Sequence, residues 1–524
     1  MTAAMRVFRP AVRGTALRGP LLFLLVWEVT ARFLSDAFVL AGPIAVIAYL
    51  ADHFGLIARA LGVTLKNAAA GFVMGNLAAV VLAVMAVLVP RSESAIRGFS
   101  LLVFCLPLVA TGPLLRVFFG PGEWPQIILA ALAVYYTTLI PLLVGLRAVP
   151  SGWLDVSRSY GRGHVAALLH IRAMASLPYC VAGLQIAAPA AFLGAMVGEF
   201  TGAERGMGVL TIRALRGMNI EMTWALATVA TLVAVLAYLA IGRIAAQFLN
   251  EDPPLILAAS ESPSKSGVKH AARLFLTMTA ASLFLWWAVF HFSGLNAFFA
   301  KGPEDVFAAL FTAQDATVTR GTLFQASAET AIYLLPGYLF GLAAGAALAM
   351  LLVLIPRLAS TTMPIAIALR SVPIITTAPL VVLLLGRGAV GTITLVAIMV
   401  FFPTFVACLH GLKQAPGRAL DVLNSYAASP LVKLVQVRIP AMLPAFFAAA
   451  RINVPASVLA VTVVEWLATG NGIGSLMALS ASLSDYDMLW SAVALVASLS
   501  VLGYVAVGAL EKSVLRIYAP EQVL

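Results

Sequence analysis

Two glutamates, Glu199 and Glu465, each lie in a long apolar stretch, where a carboxyl group is costly unless it faces a cavity or a partner. A Gly-x-Gly turn follows each one, Gly206-Met207-Gly208 in one case and Gly472-Ile473-Gly474 in the other. Glycines at such turns allow backbone segments to approach closely. The pattern predicts a gate or pathway lining. The alternative is a structural role, either a pairing with Arg or Trp or a cap on the next turn.

Further polar residues occur in the same stretches. Gln185 and Arg451 occupy matching positions, each followed four residues later by a proline that would bend a helix and free carbonyl groups. Together with Arg370, the arginine would favour an anionic solute. Snorkelling or an ion pair with a glutamate is the alternative.

The second group of functional candidates is a repeated polar segment. LDVSRSYG contains Asp155 and LDVLNSYA contains Asp421, 266 positions later. The same offset relates Glu199 to Glu465 and Gly208 to Gly474. The chain therefore contains two similar halves joined in one polypeptide, and a transport pathway between them is the hypothesis.

Composition identifies the class. Hydrophobic residues make up 62% of the chain, charged residues 10%, and the mean hydropathy is +0.99, whereas a soluble domain has about 25% charged residues. The 524 residues allow about twelve spans of roughly 20 residues each. The predicted fold class is an all-α polytopic membrane protein with two parallel six-helix repeats. The net charge of +11 is attributed to membrane topology and not to a nucleic-acid partner.

Hydropathy places six spans in each half. The first half, 1–249, contains spans at about 18–34, 63–89, 98–119, 125–146, 179–200 and 223–249. The second half, 271–524, contains spans at about 272–292, 328–355, 362–385, 389–410, 445–467 and 489–510. Residues 250–270 are predicted to form a cytoplasmic linker, and 42–62 and 302–327 to be external segments.

The distribution of Lys and Arg favours a cytoplasmic N-terminus and C-terminus. Basic residues precede the first apolar run, but no small-residue cleavage site follows, so a retained first span is expected. Cys105, Cys180 and Cys408 are interpreted as buried apolar residues, with no disulfide or metal site.

About thirty residues separate the fourth and fifth spans of each half, at 150–178 and 416–444. Each segment is predicted to be a short helix, a tight turn and a second helix ending at proline. Gly161 can adopt the positive φ of such a turn, and Ala427 stands in its place in the second half. Ser429 is a candidate N-cap, and Pro430 suits the first helical position.

These segments resemble the EAA loop of binding-protein-dependent ABC transporter permeases. Asp155 and Asp421 stand where that family has glutamate, Gly161 matches its glycine, and 438–444 matches its closing proline segment. Within that family the nitrate/sulfonate/taurine type is most similar. The similar segments are VWEVTAR in the first span, LPLVATGPLLRVFFG and SVPIITTAPLVVLLLG in the third spans, and VGEFTGAERGMGVL and VVEWLATGNGIGSLM at the ends of the fifth spans.

The resemblance implies a permease subunit of an ATP-driven importer in a bacterial cytoplasmic (inner) membrane. Its partners would be a cytoplasmic ABC ATPase dimer, an extracytoplasmic solute-binding protein and the lipid bilayer. The chain has no G-x-x-x-x-G-K-[ST] motif, so ATP would be bound by the partner, no cofactor is expected in this chain and it would not itself be an enzyme. The residues implied in ATPase docking are Asp155, Arg158, Tyr160, Gly161, Asp421, Ser425, Tyr426 and Pro430.

Two alternatives remain. One is a fused permease of a ferric-iron or thiamine importer. The other is a twelve-span secondary transporter, although VPRSESAIRG and IPRLASTTMP, between the second and third spans, do not match the Gly-Asp-Arg-rich loop expected there.

Overall fold

A computed structural model describes residues 18–33, 40–247, 268–292, 294–358, 381, 384–386 and 388–518. Throughout these ranges the secondary structure is helical and no strand occurs. The all-α prediction is therefore confirmed. The predicted linker falls almost entirely outside the described residues, as do Arg370 and most of the predicted span 362–385.

The helices of the two halves follow the same order. The first half has α1 Arg18–Phe33, α2 Pro43–Asp52, α3 Phe54–Leu88, α4 Glu93–Phe104, α5 Leu108–Phe119, α6 Trp124–Arg147, α7 Ser151–Ser159, α8 His164–Ala167, α9 Ala173–Phe200, α10 Met207–Arg216 and α11 Ile220–Ala246. The second half has α12 Val268–Phe292, α13 Pro303–Phe307, α14 Ala316–Leu354, α15 Ala389–Lys413, α16 Gly417–Ser425, α17 Pro430–Lys433, α18 Ile439–Val464, α19 Gly472–Leu483 and α20 Tyr486–Tyr518.

Eight helical segments in the described ranges are long and apolar enough to cross a membrane, or nine if one bent pair is counted as a span. They are α3, α6, the continuous helix His164–Phe200, α11, α14, α15, the continuous helix Pro430–Leu467 and α20. The first predicted span of each half is shorter, with 16 residues in α1 and an apolar stretch Leu276–Phe292 in α12.

The third predicted span, 98–119, is not one continuous helix. It consists of Pro90–Phe104 and Leu108–Phe119, which meet at an angle of 95°. Pro107 caps the second piece in an extended conformation. Because proline has no N–H and disfavours a helical conformation in the residue before it, the chain turns here.

Two other predicted boundaries were wrong. The helices of the second spans begin at Phe54 and Ala316, so they include residues that were predicted to be external segments. The second helix of each loop also does not end at proline. It continues through a π-helical turn, Leu168–Arg172 or Leu434–Arg438, into the fifth span.

Small residues allow the spanning helices to pack closely, as is usual in membranes. A β-carbon at Gly75 would lie 2.6 Å from the Ala131 carbonyl oxygen, and one at the equivalent Gly341 would lie 2.7 Å from that of Ala397. These positions bring α3 against α6 and α14 against α15. The corresponding pairs are thus built alike in the two halves.

The halves pack against each other through α5 and the outer end of α9. Val109, Val197 and Phe200 share an apolar cluster with residues of the second half that include Val461 and Val464. A second cluster joins α5 to α19, through Ala110, Leu114, Ile473 and Met477. In addition, Tyr136 of α6 is hydrogen-bonded to Tyr504 of α20.

Candidate functional site

The loops between the fourth and fifth spans have the same backbone path. Gly161 has φ +69° and Ala427 has φ +52°, so both take the left-handed conformation that ends a helix. The N–H group of the next residue closes each turn by donating to an equivalent carbonyl group. Arg162 donates to Ser157 at 3.1 Å, and Ala428 donates to Leu423 at 2.9 Å. The helix–turn–helix prediction is confirmed for both loops.

The second helix of the second loop begins as its sequence predicts. The Ser429 hydroxyl accepts a hydrogen bond from the Val432 N–H at 3.4 Å, and Pro430 occupies the first turn. In the first loop, Gly163 takes the capping position with an extended backbone and has no side chain to offer. The two loops thus reach one fold by different capping chemistry.

Each loop exposes large apolar side chains at matching positions. Tyr160 and Tyr426 are both 81% exposed, and Val156 and Val422 lie four residues before them on α7 and α16. The second helices add Val165 and Leu169 in one loop, and Leu431 and Val435 in the other. Apolar residues repeated in this way on two short surface helices mark an interaction surface.

The polar residues of the loops are less alike. The Asp155 carboxylate pairs with Arg158 at 3.0 Å, on the same exposed face of α7. At the equivalent of Arg158 the second loop has Asn424, and Trp153, which is 65% exposed, is replaced by Ala419. The Ser425 hydroxyl donates to the Val422 carbonyl at 2.7 Å.

The predicted gate residue Glu199 is 1% exposed, and both of its carboxyl oxygens have partners. Thr64 of α3 donates its hydroxyl to one oxygen at 2.7 Å, and the Gly208 N–H donates to the other at 2.7 Å. The Thr64 hydroxyl also accepts the Met207 N–H at 2.8 Å. Glu199 therefore joins α3, α9 and the start of α10.

Glu465 repeats this arrangement in the second half. It receives the Thr330 hydroxyl at 2.8 Å and the Gly474 N–H at 2.8 Å, while Thr330 accepts the Ile473 N–H at 2.9 Å. A further carboxylate, Glu329, accepts the Gly472 N–H at 3.0 Å. We call each set of glutamate, threonine and Gly-x-Gly turn a glutamate bracket.

The glycines of the brackets are sterically required. Gly206 has φ +135° and Gly472 has φ +84°, and a β-carbon at either would lie 2.2 Å from an atom of the glutamate carboxyl group. At Gly208 and Gly474 a β-carbon would lie 2.7 Å and 2.5 Å from a carbonyl oxygen of the preceding span. The close backbone approach expected at these turns is therefore present.

Arg451 lies apart from the brackets. Its guanidinium pairs with Glu511 at 3.1 Å and lies over the ring of Tyr504, 5.7 Å from the ring centroid. Gln185, its counterpart, has its amide nitrogen against α11, where a β-carbon at Gly242 would lie 2.5 Å from it. Both side chains thus contact the sixth span of their own half.

Sequence reasoning missed Thr64 and Thr330, the hydroxyl partners of the two glutamates. They are separated by 266 positions, the offset that relates Glu199 to Glu465. A search for polar residues repeated at this offset would have found them. Within the described ranges no group of three or more His, Cys, Asp or Glu side chains is arranged to hold a metal ion.

The paired halves, apolar spans and repeated loops define a polytopic membrane protein built from two similar halves. The family model described as "Binding-protein-dependent transport system inner membrane component" matches residues 37–251 and again 337–516. The chain belongs to this family and contains two permease halves. It is thus a permease subunit of the ABC importer kind.

Three individual relatives each match less than half of the chain. A protein of Haemophilus influenzae named "Probable ABC transporter permease protein" is 30% identical over 234 residues, which cover 92% of it and 44% of this chain. A formylaminopyrimidine transport permease of Halalkalibacterium halodurans is 23% identical over 225 residues, covering 90% of it and 43% of this chain. The taurine transport system permease protein of Escherichia coli is 27% identical over 105 residues, covering 38% of it and 20% of this chain.

Proposed function

We propose that this chain forms the whole membrane pathway of an ATP-driven importer, with both docking loops seated on a cytoplasmic ABC ATPase dimer. The observation that carries the proposal is the repeated helix–turn–helix at 151–172 and 417–438, with its matching exposed apolar residues. An exposed apolar surface on a projecting helix–turn–helix needs a complementary groove on a partner protein. Two such helix–turn–helix surfaces in one chain fit a partner assembly with two similar grooves.

The solute is proposed to be a small organic anion of the sulfonate or taurine class, delivered by an extracytoplasmic binding protein. This part rests on likeness to the taurine permease and to the nitrate/sulfonate/taurine sequence type. The formylaminopyrimidine permease supports a second candidate, a small heterocyclic solute. The match covers 90% of that relative, compared with 38% of the taurine permease. In both cases the N-terminus and C-terminus would be cytoplasmic, in a bacterial inner membrane.

Affinity purification of the full chain from native membranes in mild detergent tests the assembly. We expect a nucleotide-binding ATPase at about two copies per chain. Reversing the charge of both loop aspartates, with Asp155→Arg and Asp421→Arg, should uncouple uptake from ATP hydrolysis while membrane insertion is unchanged. Recovery of the chain alone, with uptake driven by an ion gradient, would favour the secondary-transporter alternative.

A further inference from the structure

A cleft lies behind α7, between this helix, the ends of α3 and α6, and the segment that runs from α8 through the π-helical turn Leu168–Arg172. One part, of about 310 Å³, is lined by Val87, Leu146 and Leu154 among others, and an adjoining part of about 190 Å³ extends along the start of α8. Five basic side chains line the two parts, and we call the site the cationic cleft. They are Arg147, Arg158, Arg162, His164 and Arg172.

The nearby carboxylates leave part of this charge unbalanced. Glu93 pairs with Arg147 and, at 3.0 Å, with Arg97, and Asp155 pairs with Arg158. Within the described part of the chain, no carboxylate lies within ion-pair distance of Arg162 or Arg172. Arg172 donates one N–H to the Leu146 carbonyl at 3.4 Å, which leaves most of its donors for another acceptor.

We propose that the cationic cleft binds a phosphate group and thereby ties the first docking loop to the helix bundle. A phosphate offers several acceptor oxygens, and arginine presents planar pairs of donors that match them. The phosphate could be supplied by an anionic phospholipid headgroup at the membrane surface or by free phosphate in the cytoplasm. Both sources share this recognition chemistry.

The cleft distinguishes the two halves. At the positions equivalent to Arg158, Arg162 and His164, the second half has Asn424, Ala428 and Pro430. Lys413 and Arg438 replace Arg147 and Arg172, so the second loop keeps two of the five basic side chains. Positive charge on the cytoplasmic side is common to membrane proteins, but a general topology signal would not concentrate it behind one of two equivalent helices. Phosphate binding is therefore assigned to the first loop alone.

The binding test uses the purified full chain in nanodiscs, without ATPase. One arm compares phosphatidylcholine discs with discs that also contain phosphatidylglycerol, and counts retained lipid by native mass spectrometry. The other arm titrates inorganic phosphate into phosphatidylcholine discs and follows thermal unfolding. The variant is Arg162→Ala with Arg172→Gln. The control is Arg243→Ala, which removes an exposed charge from the end of α11, outside the cleft.

We expect the double variant to weaken binding about tenfold or more, since it removes two charge-assisted contacts, and the control to bind as the parent chain does. Retention of phosphatidylglycerol alone would identify a lipid headgroup, and a response to phosphate alone would identify the free anion. Equal binding by parent and double variant in both arms would overturn the proposal. If the double variant does not fold, Arg162→Ala alone serves, because Arg162 is exposed in the turn.

Because the readout is binding to the isolated chain, its failure would not affect the ATPase-docking proposal. Absence of a co-purifying ATPase would likewise not affect the cationic cleft.

Discussion

The carboxyl groups of Glu199 and Glu465 have their hydrogen bonds satisfied in the same way in the two halves. In each, one oxygen accepts a threonine hydroxyl from the second span, and the other accepts an N–H from the turn after the fifth span. Burial of an unpaired carboxyl group would be costly, so these bonds account for its presence in an apolar stretch. A gating role would require the turn to break these bonds as it moves.

Replacing a bracket glycine should be severely destabilising. We expect Gly472→Ala to cost about 3 kcal/mol or more, because a β-carbon would meet the Glu465 carboxyl group at 2.2 Å and the residue would keep a positive φ. Thermal unfolding of the purified chain measures this. Gly62→Ala is the matched control, since it lies in α3 with no atom near its β-carbon, and it should be neutral or slightly stabilising. Similar melting temperatures for the two variants would contradict the steric argument.

The Arg451–Glu511 pair can be tested by converting it to the first-half arrangement. Arg451→Gln should destabilise the chain by about 3–5 kcal/mol, because Glu511 would lose its buried cation. Adding Glu511→Ala should recover most of the lost stability. The double variant would then have the residues that the first half has at the equivalent positions, Gln185 and Ala245. Unfolding of the single and double variants measures the coupling.

Uptake by the same double variant separates structure from transport. A stable double variant with normal uptake would show that Arg451 acts through its pair with Glu511. Loss of uptake despite restored stability would assign Arg451 to the solute pathway.

At the scale of elements, the two helix–turn–helix loops show how one backbone path tolerates different residues. The left-handed turn is natural for Gly161, and Ala427 adopts it at a steric cost. Hydrogen bonds that close the turn on Asn424 and Leu423, together with the Ser429 cap, hold it in place. The second helix also holds the turn in place, because it continues into the fifth span and is fixed by the packing of that span.

This difference predicts opposite effects of exchanging the two residues. Gly161→Ala should destabilise its loop by about 1–2 kcal/mol, and Ala427→Gly should stabilise the other by up to about 1 kcal/mol. A β-carbon at Gly161 would meet no atom within 4 Å, so its cost arises from φ alone. Hydrogen exchange of the two loops in the purified chain measures both effects. A shift of equal sign in the two variants would be inconsistent with a φ-controlled turn.

At the scale of the whole molecule, the face opposite the helix–turn–helix loops carries different charge in the two halves. Around α10, Arg205, Arg213 and Arg216 are exposed, and the corresponding positions near α19 are Asn471, Leu479 and Ser482. The second half also exposes Asp485 at the start of α20, where the first half has Asn219, while the exposed Asp487 is matched by the exposed Glu221. Charges of this kind steer and orient a partner more than they add affinity.

We therefore expect the proposed binding protein to dock in one orientation, with an acidic lobe over α10. Arg213→Glu with Arg216→Glu should slow its association about tenfold or more at low salt, and the difference should shrink as salt is added. Leu479→Glu with Ser482→Glu is the matched control on the second half and should have a smaller effect. Stopped-flow or surface binding measurements with the cognate binding protein give the rates. Equal effects of the two variants would mean that orientation is not set by these charges.

The sequence by itself determined the class, the duplication and the local chemistry of the loops. Low charge and high hydropathy require a membrane environment. A repeat at a fixed offset requires two similar halves, and glycine, serine and proline specify turns and caps within a few residues of themselves. These features depend on composition or on neighbours along the chain, so no folded structure is needed to infer them.

Only the tertiary structure decided the partners of the buried polar groups. The Glu199 carboxyl group meets Thr64, which lies 135 residues earlier, and the Arg451 guanidinium meets Glu511, 60 residues later. The bend at Pro107 and the continuation of the loop helices through prolines also depend on packing, because neighbouring helices decide whether a proline breaks a helix or is tolerated. Hydrogen bonds and ion pairs between distant segments form only where folding brings helices together, and local sequence pattern does not encode that proximity.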